Sequence, residues 1–125
     1  MNIIDPDYLV ALYLKNQLAS VDEPKLVHDL ANLIQRLWDL NLEVEVSFQE
    51  NAAGELVSPE IVASLRRLRQ SGLVKFQEQP MGMSFQFISP TKQNDPRATI
   101  LPSHRQYLGA LDNQIQQVLQ SLFIP

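Results

Sequence analysis

The spacing of apolar residues changes character once in the first half of the chain, and that change restricts the fold more than any other feature. Leu26, Val27, Leu30, Leu33, Ile34, Leu37, Trp38 and Leu40 recur at the three-and-four spacing of a helix face. Directly after Asn41, Leu42, Val44, Val46 and Phe48 alternate with Glu43, Glu45, Ser47 and Gln49, the period of a half-buried strand. A long amphipathic helix followed by a strand requires a core between helix and sheet, so the spacing predicts an α+β domain.

The helix starts are written in side chains that cap and prolines that follow. Asp5-Pro6 opens a first helix expected over about 6–19, Asp22 with Glu23-Pro24 opens the second, and Ser58-Pro59-Glu60 opens a third with Ile61, Val62, Leu65 and Leu68 on one face. Gly72 suits the left-handed position that closes the third helix. Leu73–Gln79 and Ser84–Ser89 flank Pro80-Met81-Gly82-Met83 as two antiparallel strands. Residues 89–103 carry three prolines and read as an arm or linker. A last helix over about 104–123 places Leu108, Leu111, Ile115, Val118 and Leu122 at alternating spacings of three and four. Such a stripe serves either as ordinary core or as a homodimer interface.

With 125 residues one core is expected. No run reaches the length of a membrane span, and the acidic start lacks the basic region of a signal peptide, so no membrane association and a cytoplasmic location are expected. The chain has no cysteine, which excludes disulfides, thiolate zinc sites and cysteine nucleophiles. His28 and Asp29 are sequence neighbours about 100° apart on a helix and cannot form a dyad; His104 stands alone. Glu43 and Glu45 share a strand face that could bind a divalent cation or act as an acid and base pair, yet no His or Asp completes either arrangement. No Gly-rich phosphate loop or hydrolase motif is present. A non-enzymatic protein without cofactor or metal is expected.

Charge divides the chain. Residues 1–60 hold 3 Lys/Arg against 11 Asp/Glu, and residues 61–125 hold 7 against 3. The basic half can face a polyanion, or the halves can attract each other. The segment SPEIVASLRRLRQSGLVKFQEQPMGMSFQFISP, Ser58 to Pro90, resembles the second half of a winged helix-turn-helix. Ser58 through Ile61, Val62, Leu65 and Leu68 matches its helix, Gly72-Leu73-Val74 its exit and Lys75 to Ser89 its wing. The family order is helix, short strand, helix, recognition helix, wing. Taking Leu42–Gln49 as the short strand leaves only ENAAGELV where the positioning helix should stand.

The resemblance implies a winged-helix-like domain over 1–88, an arm over 89–103 and a C-terminal helix over 104–125, with a small antiparallel sheet made of a strand plus the hairpin. It also implies a regulatory or nucleic-acid-associated protein of dimeric type, with Arg66, Arg67, Arg69 and Lys75 contacting duplex DNA. The competing expectation is a protein-protein interaction module on the same scaffold, favoured by a pI near 5.0. Cations gathered on one surface would support DNA, whereas cations paired with the acids of residues 1–60 would support a protein partner. Met81 and Met83 at the hairpin tip would touch a partner or the C-terminal helix.

Overall fold

A computed structural model describes residues 2–17, 19–80, 82–88, 115 and 117–120. The elements run β1 (Asn2–Ile4), α1 (Pro6–Lys15), β2 (Val21–Asp22), α2 (Glu23–Asp39), β3 (Leu42–Val44), β4 (Gln49–Glu50), β5 (Leu56–Val57), α3 (Pro59–Gln70), β6 (Val74–Gln79) and β7 (Gly82–Phe87). The chain is α+β, as the change of apolar period requires.

All three labelled helices start by one device. An oxygen-bearing side chain in extended backbone accepts an otherwise orphaned amide, and proline occupies the first turn, where its missing N–H costs nothing. Asp5 accepts from the Asp7 amide at 2.9 Å, Asp22 from that of Lys25 at 2.9 Å, and Ser58 from that of Ile61 at 3.4 Å. The ends differ. α1 ends at Lys15, four residues earlier than the spacing suggests, and Asn16 caps it: its side-chain amide donates to the Leu12 carbonyl at 2.8 Å alongside its own backbone N–H. Asn41 takes φ 62° after α2. After α3, Gly72 at φ 81° lets its own amide reach the Arg69 carbonyl and that of Leu73 reach Leu68, closing the helix with two crossed bonds.

α1 is buried on every side: Tyr8, Leu9, Val10, Ala11, Leu12, Tyr13 and Leu14 form an unbroken run of core residues. α2 presents Leu26, Val27, Leu30, Leu33 and Leu37, and α3 presents Ile61, Leu65 and Leu68. One hydrophobic cluster joins these to Phe85, Leu73, Val74, Ile115, Val118 and Leu119. A buried Tyr13 hydroxyl fastens α1 to α2 by donating to Asp29 Oδ2 at 2.5 Å, and Lys25 Nζ meets the same oxygen at 2.8 Å.

The sheets differ from the sequence expectation in an informative way. β6 and β7 pair antiparallel from Val74↔Phe87 to Gln79↔Gly82, as expected of a hairpin. The strand that joins them is β2, with Val21↔Phe85 and Asp22↔Ser84, and not the alternating segment after Asn41. That segment is a strand only over Leu42–Val44, where it pairs in parallel with β1, Ile4 opposite Val44. It breaks because the Val46 amide turns back to the Val44 carbonyl at 2.9 Å and Ser47 is drawn to Glu60. ENAAGELV is itself a small hairpin, β4 with β5, whose turn is held by Asn51 Oδ1 accepting from Ala53 and Glu55 amides. Residues 40–58, carrying β3, β4 and β5, form an insertion between α2 and α3.

Leu108, Leu111 and Leu122, Met81, and the arm over 89–103 with Lys92 and Arg97 lie outside the described residues. Ile115 is helical and fully buried, and Val118 is buried beside it.

Candidate interaction surface

The basic residues of α3 and the hairpin were the sequence-level site. Arg67 leaves it altogether: its Nε and Nη2 donate to the two carboxylate oxygens of Asp7, each at 2.8 Å, a bidentate pair that ties α3 to the start of α1. Both that pairing and the charge of Asp7 hold the guanidinium more firmly protonated, the hydrogen bond being the larger cause. Arg69 lies over the ring of Phe76, 4.8 Å from guanidinium carbon to ring centre, and Phe76 in turn meets Phe85 edge-on at 4.9 Å. Successive strand residues point to opposite faces. Lys75 therefore projects from the face of the sheet away from Phe76 and Arg69, beside Gln86. Arg66 is exposed and borders a shallow cleft of about 360 Å³ whose other edge includes Glu23. The four cations point in several directions.

The front of α3, where a recognition helix meets base edges, is also engaged. Glu60 Oε1 accepts from the Ser47 hydroxyl at 2.6 Å and from its amide at 3.3 Å, so the insertion is latched onto the first turn of α3. The Ser47 hydroxyl is the main reason that the Glu60 carboxyl is held below its ordinary value of 4.5. Ionisation is favoured by the latched state, so the latch is complete above that ordinary value and is lost as pH falls through the lowered one. In a carbon-detected NMR titration the Glu60 midpoint is expected below 4.5, with Ser47→Ala moving it up. Equal midpoints in the two proteins would show that Ser47 does not hold the carboxylate.

Around the hairpin tip the surface is acidic. A cleft of about 350 Å³ runs between the start of α2 and β7, bordered by Asp22, Glu23, Glu55 and Met83. A larger one, about 690 Å³, lies between α2 and the insertion. Ile34 and Trp38 from α2 and Val46, Phe48 and Leu56 from the insertion give it an apolar lining, and Glu43 and Glu45 supply its charge. The two glutamates singled out in the sequence are thus part of a cleft wall. Among the described residues no cluster of three or more metal-ligating side chains occurs.

Trp38 was read from the sequence as part of the core stripe, yet it is 51% exposed. Helical spacing gives no signal of this: Trp38 falls within about 20° of the buried Val27 around the helix axis, and is set apart only by its place in the last turn of α2, on the wall of the larger cleft. Leu40, 47% exposed, follows it out of the core.

Among the described residues no helix is long and apolar enough to cross a membrane. Comparison with protein-family models, with curated proteins and with solved structures returned no match.

Proposed function

We propose that this protein is a non-enzymatic protein-interaction module on a winged-helix-like scaffold. The element order α1, β2, α2, α3, β6, β7 is the helix, short strand, helix, helix, wing order of that family, and supports the scaffold reading. The observation that carries the functional reading is the dispersal of Arg66, Arg67, Arg69 and Lys75, the described cations of the basic half. A duplex-binding face needs several Lys or Arg side chains converging on phosphates. Here Arg67 is spent on Asp7, Arg69 is draped over Phe76, and Lys75 faces the opposite way. The tip of the hairpin adjoins Asp22, Glu23 and Glu55, a surface that repels phosphate. Against this stand an exposed Trp38 and Leu40, groups that a partner protein would cover.

The element order also favours a second reading, a nucleic-acid-associated regulator, and one experiment separates the two. The purified protein and its Arg66→Ala, Arg67→Ala, Arg69→Ala variant are titrated with random duplex DNA across a salt series. No saturable binding at physiological salt is expected from either. Micromolar binding that weakens steeply with salt and is lost in the variant would overturn the interaction-module reading.

A further inference from the structure

The three-stranded sheet ends on β6. Its order is β2-β7-β6, so β7 is bonded on both sides and β6 on one. The phase of the hairpin fixes which main-chain groups of β6 look outward. The Ile88 amide donates to the Leu73 carbonyl at 2.8 Å, and these two residues continue the register that sets Val74 opposite Phe87. Bonded and non-bonded pairs alternate along an antiparallel ladder. Lys75, Gln77 and Gln79 are therefore bonded to β7, whereas the amides and carbonyls of Phe76 and Glu78 point away from it. Among the described residues no strand takes them. Lys75 and Gln77 on one face of the strand and Glu78 on the other are exposed, so the edge lies open from both sides.

The side chains along this edge select what fits it. Phe76 and Glu78 share the face on which Arg69 lies over the Phe76 ring, and Lys75, Gln77 and Gln79 share the other. Arg69 and Glu78 are both exposed, and no ion pair among the described residues engages either. We propose that the edge takes the same edge of a second copy of this chain, antiparallel about a two-fold axis through Gln77, and so joins two sheets into one. Charge selects that register. A two-fold centred on Lys75 or on Glu78 sets like charges face to face, and one centred on Phe76 brings the two Arg69 guanidiniums together. Centred on Gln77, the seam sets Glu78 of each copy directly opposite Phe76 of the other, beside the Arg69 that covers it, and sets Lys75 opposite Gln79. Phe76 and Glu78 then exchange main-chain bonds across the seam, and an ion pair between Arg69 and Glu78 closes over each exchange. Charges on an edge deter indiscriminate pairing, and here their spacing leaves one register open. The inference goes beyond the interaction-module reading and does not depend on it.

A seam of two strands is small, so a reversible dimer is expected, seen in sedimentation velocity as a mass that rises with protein concentration. Glu78→Pro removes an outward amide while sparing the bonds to β7, and is expected to weaken dimerisation about tenfold or more. Glu78→Arg and Arg69→Glu, each checked for unchanged circular dichroism, are expected to do the same. The two together are expected to restore the dimer, because the exchange rebuilds the ion pair with its signs reversed. The chain has no cysteine, so Gln77→Cys introduces a lone thiol on the axis, its Cα about 4.5 Å from that of its copy. Mild oxidation is expected to link this variant into a covalent dimer and to leave Gln86→Cys, exposed on the same face one strand further in, unlinked.

A monomer at every concentration would overturn the proposal. So would a dimer unmoved by Glu78→Pro and by the single charge reversals, since self-association would then use another face. Failure of the charge exchange to restore what each reversal removes, or equal linking through positions 77 and 86, would overturn it as well. The interaction-module reading is decided separately by the duplex titration, whatever the sedimentation shows.

Discussion

Replacing Leu65 by alanine is expected to cost about 2–5 kcal/mol of folding free energy, the range found when a buried leucine is cut back and its neighbours cannot close the gap. Leu65 is 2% exposed, at the middle of the α3 face that packs on α1. Neither helix can move inward freely, since Asp7 and Arg67 set their spacing at one end and Ser58 and Glu60 are held by caps and the insertion at the other. A domain of this size has about 5–15 kcal/mol in all, so a loss of this order lowers the melting temperature by roughly 10 °C or more. Urea unfolding followed by circular dichroism provides the measurement, with Arg66→Ala beside it. The arginine is exposed, and its variant should stay within about 0.5 kcal/mol of the parent. Equal destabilisation of the two would mean that the α1–α3 contact does not organise the core.

The second large effect appears in alkali. Burial is the chief cause raising the Tyr13 phenol above its ordinary value of 10, and the hydrogen bond to Asp29 with the negative charge of that carboxylate adds to it. The folded state therefore keeps a proton that the unfolded chain gives up near pH 10. The stabilisation is fully present below pH 10 and declines as pH rises toward the folded value, by about 1.4 kcal/mol for each unit. Tyr13→Phe removes this dependence while costing about 1 kcal/mol at neutral pH through the lost hydrogen bond. Urea midpoints at pH 8, 10 and 11 should then fall more steeply for the parent than for the variant. Parallel curves would show that Tyr13 ionises in the fold as it does outside it.

What could be read from the sequence depended on how local the governing interaction is. The three helix starts and the closing glycine are settled within a few residues by Asp5, Asp22, Ser58 and Gly72, and all lie where the spacing predicts. The hairpin is similarly local. β2 was missed because Val21-Asp22 is too short to show a period, and it is a strand only because Ser84 and Phe85 stand opposite it. The segment from Leu42 to Gln49 was overextended because alternation records which side chains are apolar and says nothing of Glu60, which pulls Ser47 out of line. For the site, the acidic cleft wall was visible as Glu43 and Glu45, but the fate of the arginines was not. Asp7 and Phe76 reach them through tertiary structure, and a charge count weighs a paired guanidinium the same as an open one.

A helix enclosed as α1 is has nothing to gain from forming early. Its run from Tyr8 to Leu14 carries no polar flank to meet water, so while the chain is being made those residues have no stable place until α2, α3 and the hairpin have left the ribosome to surround them. Until then they are a sticky segment of the kind that chaperones hold. Once they are enclosed, no partial opening exposes them, and the amide protons of α1 should exchange with solvent at the rate of whole-molecule unfolding.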